Sequence, residues 1–419
     1  MSVQHVRSNN AAIASVPAIT IPGSGKIARR VLRSILANVQ YGKLTFVLPS
    51  GGEIHGQGMQ EGPHAVIEIH RWSMFRRLAR RGDLGFAEAY MDGDWTSPDL
   101  AAVICFADRN YQELLKYVSG FAVMRVLSRA WHLLRGNSKR GSRKNIEFHY
   151  DLGNDFYRLW LDETMTYSSA IYAGENDTLA SAQQRKIARI EDLVDAGAGK
   201  SVLEIGCGWG AMAQAVASSG ASRVTGLTLS PSQAAIAVER AAQAGLAGRI
   251  DIRLQDYRDT IESYDRIVSI EMIEAVGEDY WPVYFRTLHN RLKPGGHAII
   301  QAITITPERF EGYRSSVDFI QRYIFPGGML LTAPIIRAQS EQAGLAYECV
   351  ETFGQGYART LADWRTAFIA AWPEIARQGF DERFRRMWEY YLAYCEGGFA
   401  NGTIDVGLYR LTRPSGQAD

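Results

Sequence analysis

The ten residues SVLEIGCGWG, Ser201–Gly210, decide the fold. An apolar strand-length run carries Glu204 near its end, and Gly206, Gly208 and Gly210 follow at alternate positions. The helix-forming run AMAQAVAS comes next. Side chains at the three glycines would block a ligand lying against the backbone, so the turn demands glycine. The spacing is GxGxG rather than the GxGxxG of dinucleotide sites, and Cys207 and Trp209 fill the loop. A carboxylate just ahead of the loop suits the cationic amino-acid end of S-adenosylmethionine, not a pyrophosphate.

Working outward, strand-length apolar runs alternate with helical ones: RVTGLTLS, PSQAAIAVERAAQ, IDIRLQD, DRIVSIEMI, WPVYFRTLHNRL and HAIIQAITI. Continuous apolar strands spaced by helices predict an α/β fold, a mostly parallel sheet with helices on both faces. The second strand ends at Thr228, with Gln233 five residues on; both side chains can hydrogen-bond a ribose diol. The third ends in QDYRD, where Asp256 is placed to read an adenine amino group. The last 110 residues are crowded with aromatics, expected to be insertions that roof the open end of the sheet.

The front of the chain differs. Residues 1–145 carry 20 Lys and Arg against 10 Asp and Glu, while the remainder is acidic, although the whole nets only +1. Such asymmetry points to an anionic surface as partner of the front part. Residues 1–25 read as a flexible tail. KIARRVLRSIL is a basic amphipathic helix, with Ile27, Val31, Leu32, Ile35 and Leu36 on one side. MFRRLARR is a second basic helix, and a third basic region begins at Arg125. The organisation expected is a smaller α+β domain at 26–135, a linker at 136–145 and the catalytic domain at 146–419. The four cysteines are far apart and form no CxxC pair, so neither a disulfide framework nor a thiolate metal site is expected, and no metal is assigned. No apolar run reaches membrane-spanning length and the N-terminus lacks a secretory pattern, so the expected location is the cytoplasm.

FHYDLGNDFYRLWLDETMTYSSAIY, EIGCGWG, GLTLSPSQ, QDYRD, DRIVSIEMIEAVG, YIFPGG and FGQGYARTL…AWPEI together resemble the cyclopropane fatty acid synthase family, over about Glu147 to Arg410. AYMDGDW resembles the N-terminal lipid-engaging domain of its bacterial phospholipid enzymes. The resemblance implies a class I methyltransferase fold, S-adenosylmethionine as methyl donor, and the cis double bond of an unsaturated phospholipid acyl chain as acceptor. It places cofactor contacts on Tyr167, Ser168, Gly206, Gly208, Thr228 and Gln233, beside Glu204, Gly210 and Asp256. In the family a bound bicarbonate takes up the proton. Its ligands would fall on Glu274, Tyr357 and the backbone of Ile303. Ser169 stands at the family's Cys, Gln301 at its His, and Ala275 at the His of its EHVG. A neutral Gln cannot shuttle a proton as His can. These departures point towards a methyl-branched alkene or methylene fatty acid as well as a cyclopropane. The basic helices would hold the enzyme peripherally on the anionic inner face of the cell membrane. A homodimer and a redox partner protein are left open. A C-methyltransferase of a small hydrophobic, sterol- or polyketide-like substrate shares the sheet and the glycine loop, but would not need the basic front. Nucleic acid is disfavoured as partner, because the aromatics lie in the acidic part.

Overall fold

The computed structural model describes residues 25–118, 152–221 and 223–416. The tail up to residue 24, the whole third basic region from Arg125 and the expected linker at 136–145 lie outside the described residues.

The front part holds α1 (Gly25–Leu36), β1 (Tyr41–Val47), β2 (Glu53–Gln57), β3 (Gln60–Ile69), α2 (Ser73–Met91, bent at Gly82), β4 (Trp95–Thr96), α3 (Leu100–Arg109) and α4 (Tyr111–Val118). Its strands form one small sheet in the order β2-β1-β3-β4. The amphipathic reading of α1 holds, since Leu32, Ile35 and Leu36 are buried and Arg33 is exposed.

The second part begins with α5 (Asn154–Arg158) and α6 (Leu179–Val194). It continues through β5 (Ser201–Ile205), α7 (Ala211–Ser218), β6 (Arg223–Thr228), α8 (Pro231–Gln243), β7 (Ile250–Leu254) and β8 (Tyr264–Ile270). Then come α9 (Trp281–Arg291), β9 (Leu292–Ile305), α10 (Pro307–Arg314), α11 (Ala333–Gln342), β10 (Ala346–Thr352), α12 (Gly354–Arg377), α13 (Glu382–Ala400) and β11 (Ile404–Thr412). The seven-stranded sheet runs β10-β11-β9-β8-β5-β6-β7. β7, β6, β5, β8 and β9 are parallel, and β11 runs antiparallel to both β9 and β10. After β5 the chain lays β6 on one side and later β8 on the other. The order therefore reverses at β5, and a crevice opens at the strand ends where ligands of such sheets bind.

Local signals set these elements. Pro231 opens α8 while the Ser230 hydroxyl caps it by accepting from the Gln233 N–H at 3.3 Å. β5 is buried from Val202 through Ile205, as a central parallel strand requires.

The structure corrects two expectations. The last 110 residues do more than roof the sheet, because they contain β10 and β11, which complete it. Nor are their aromatics merely a lid. Trp364, Phe368 and Trp388 are fully buried, and they share one apolar core with Phe46, Phe75 and Trp95 of the front part. The two expected domains thus meet through a common interior. α13 approaches α3 so closely that a Cβ on Gly397 would fall 2.6 Å from Ile104 Cγ2, so only glycine fits there.

Candidate active site

A cavity of about 430 Å³ opens at the reversal point. Its walls come from the ends of β5, β6, β8 and β9, from α6 and α12, and from α3 and α13.

At one end stands the glycine turn. Gly206, Gly208 and Gly210 all have positive φ, at 83, 49 and 87°. Gly206 and Gly208 line the cavity. Gly210 instead backs onto Ala237, whose Cβ would lie 3.0 Å from an added one, so it shapes the turn and lies off the wall. Glu204 is 3% exposed, and its Oε2 has no hydrogen-bond partner among the described residues. Burial pushes its carboxyl up to about 8, although the charge of Lys186 pulls the other way. Lys186 is fully buried, donates to Ser168 Oγ at 2.8 Å, and is pushed down to about 8 by the same desolvation. Tyr167 and Tyr391 join their hydroxyls at 2.7 Å on the same wall. Thr228 Oγ1 donates to Gln233 Oε1 at 2.9 Å, and both lie on the cavity wall. Asp256 also lines the cavity, and its carboxylate is paired with Arg258 at 2.7 Å, with both side chains 9% exposed. An orphaned carboxylate oxygen next to a turn whose backbone is bared at Gly206 and Gly208 is what the ammonium and backbone-hugging end of S-adenosylmethionine requires, so the residues present fit that molecule.

The other end is built from carboxylates. Glu274 follows β8, accepts from the Ile303 N–H at 2.5 Å, and leaves Oε2 unpaired among the described residues. Burial, then the charge of Glu271, push it up to about 8. Glu271, immediately after β8, was not singled out in the sequence. It gathers three donors: the Ser169 N–H at 2.9 Å and Gln301 Nε2 at 2.7 Å on Oε1, and the Tyr357 hydroxyl at 2.6 Å on Oε2. Burial raises its pKa, and those hydrogen bonds together with Lys186 oppose the rise. Three of the five predicted catalytic positions, Ser169, Gln301 and Tyr357, therefore gather around Glu271, while Glu274 and Ile303 bind each other. Tyr357 binds Glu271, not Glu274. Ser169 offers its N–H, while its hydroxyl turns to Ala170 O at 3.2 Å. The only sequence signal for Glu271 is a charged residue abutting the apolar run of β8, at the strand end where ligands bind.

Between and beyond these ends the wall is apolar, with Ile303, Ile320, Phe325, Leu361, Phe399 and Ile404.

A seven-stranded sheet of this order, with an acidic residue ahead of a glycine turn, defines an S-adenosylmethionine-dependent methyltransferase. Residues 137–408 match the model of the mycolic acid cyclopropane synthetase family. The chain belongs to that family, whose members modify lipids. It is 38% identical over 423 aligned positions, 96% of this chain and 95% of the other, to the tuberculostearic acid methyltransferase UfaA1 of Mycobacterium tuberculosis. It is 37% identical to the cyclopropane-fatty-acyl-phospholipid synthase of Escherichia coli, over 83% of this chain and 87% of that one. Among solved structures, the mycolic acid cyclopropane synthase CmaA1 complexed with SAH and CTAB superposes with a TM-score of 0.60 at 31% identity. It covers 64% of this chain and 98% of that one.

Proposed function

We propose that this enzyme transfers a methyl carbon from S-adenosylmethionine to the cis double bond of an unsaturated acyl chain in a membrane phospholipid, and that a methyl-branched or methylene fatty acid results. One observation carries the reading: a single cavity joins the glycine turn, the paired carboxylates and an apolar wall.

When bound, S-adenosylmethionine supplies an electrophilic methyl group. Glu204 would hold its ammonium, and Gly206 and Gly208 would admit its backbone-facing edge. The apolar wall takes up the acyl chain and keeps water from the double bond. Methyl transfer to an isolated alkene leaves a carbocation, and the ring faces of Tyr357, Tyr391 and Phe399 on the wall can each stabilise it by roughly 0.5–2 kcal/mol. One fact favours a lipid acyl chain over a small hydrophobic substrate: the relatives named for tuberculostearic acid and for fatty-acyl phospholipid align over 96% and 83% of the chain, its basic front included. Gln301 and Ser169, in place of His and Cys, favour the branched product.

Lipids from cells expressing the chain, fed methionine with a labelled methyl group, should show the label in a branched or methylene acyl chain by mass spectrometry and NMR. High-field ring-proton signals alone would refute the branched product.

Peripheral binding to the inner membrane face belongs to the same proposal. No described helix is long and apolar enough to cross a membrane. Arg33, Arg76 and Arg80 are exposed on α1 and α2. Arg77 and Arg81 are taken up by Asp92 and Glu88, so the surface offers fewer cations than the sequence suggested. Anionic vesicles should sediment the protein at low salt and release it at high salt.

A further inference from the structure

We infer that Glu271 is the built-in base of the reaction: its carboxylate stands where the family resemblance implies a bicarbonate, and it takes the proton that the carbocation loses. The inference rests on the methyl-transfer reading above.

The geometry is that of an anion site already filled. Three donors from separate parts of the fold converge on one carboxylate: a loop N–H at Ser169, an amide from β9 at Gln301, and a hydroxyl from α12 at Tyr357. Three of the positions that the resemblance assigns to bicarbonate thus face Glu271 instead. The main chain shows the same commitment. Glu271 has φ 47°, the left-handed region that favours glycine, and its own N–H donates to Gln301 O at 2.8 Å. A non-glycine residue in that conformation costs of order 1–3 kcal/mol and persists where the surroundings over-determine it, typically at working sites. Here the conformation turns the side chain into the cavity.

The neighbouring carboxyl divides the labour. Glu274 lacks comparable donors and faces the charge of Glu271, so it holds its proton near neutrality. Glu271, with three donors and the Lys186 charge, is the member of the pair that can be ionised.

The step balances as follows. The alkene π pair forms the new C–C bond to the methyl carbon as the methyl–sulfur bond breaks, and that bond's electron pair leaves with sulfur. The adjacent alkene carbon becomes cationic. A neighbouring C–H bond then breaks. Its electron pair closes a new double bond, and its proton bonds to a Glu271 carboxylate oxygen, from which it passes to solvent between turnovers.

The test uses the full-length enzyme, S-adenosylmethionine and vesicles of an unsaturated phosphatidylglycerol, in buffer stripped of carbon dioxide. The wild type should turn over equally well with and without added bicarbonate, and labelled bicarbonate should show no bound signal by NMR. Glu271→Gln should lose turnover by roughly 10²–10⁴-fold and keep its S-adenosylmethionine affinity by calorimetry, which also reports folding. Glu271→Gly relieves the backbone and empties the site. It should bind labelled bicarbonate and regain turnover as bicarbonate or formate is added, a rescue that a merely structural role would not give. A wild type that slows without bicarbonate or binds it, a Glu271→Gln enzyme that keeps its turnover, or a Glu271→Gly enzyme indifferent to both anions would overturn the assignment. If the wild type labels no unsaturated phospholipid, the substrate reading fails. The bicarbonate-binding contrast between wild type and Glu271→Gly still decides whether Glu271 fills an anion site.

Discussion

The ends of β5 and β8 lie side by side in the sheet, with Glu204 in register with Val268, yet they solve opposite problems. At the end of β5 the positive-φ positions are glycines, so at those positions the turn carries no side chains. At the end of β8 the positive-φ position is Glu271, and the turn is filled by a carboxylate with its donors already in place. One strand end makes room for a ligand that comes and goes. The other supplies permanently what a transient ion would have to bring. Backbone conformation alone does not tell a binding turn from a reacting one; the side chain at the left-handed position does.

Substitutions can separate the two ends. Gly206→Val should act most strongly. It places a branched side chain at φ 83° and a carbon 3.1 Å from Met272 Cγ, in the path of the ligand. Calorimetry should show S-adenosylmethionine affinity falling by roughly 100-fold or more, that is by about 3 kcal/mol. Glu204→Gln removes one charged acceptor, so about 1.5–3 kcal/mol of affinity should go while kcat at saturation holds. A fall in kcat instead would erase the division between a binding end and a reacting end.

The reacting end should answer to pH. Its base works only when ionised, and burial raises the pKa of Glu271, so the rate should climb with pH through that value and then level off. The Lys186 charge lowers the pKa of Glu271, so Lys186→Met should move the acid limb upwards. An unmoved limb would mean that another group titrates. Gln301→Leu is the mildest change. It takes one donor from Oε1 and leaves the Ser169 N–H, so kcat should drop by about fivefold, roughly 1 kcal/mol.

Much of this was legible in the residues. The parallel strands from Ser201 to Ile305 announced themselves as continuous apolar runs, and the glycine turn marked the binding end. The antiparallel pair β10–β11 did not. β10 is largely exposed and carries Glu348 and Glu351, and 51 residues of mostly helical chain separate the pair, so neither periodicity nor a turn signal joined them. Residue type named Tyr357, Gln301 and Ser169, but their convergence on Glu271 depends on which atoms the backbone turns inward. The Ser169 N–H makes that contact while its hydroxyl looks away. Asp256 reaches the cavity wall, but its ion pair with Arg258, two positions along the chain, is not something residue type announces.

The wall that α3 and α13 share has a chemical meaning of its own. Ile104 and Asp108 of α3 border the cavity together with Tyr391, Cys395 and Phe399 of α13, and Asn401 Nδ2 clasps Cys105 O at 2.9 Å. On the proposed chemistry, α3 would work as a stopper. Loosened, it would admit the solvent that a cationic carbon captures fastest, and an alcohol would appear among the lipids. The purity of the product would then be guarded by a seam far from the glycine turn in sequence.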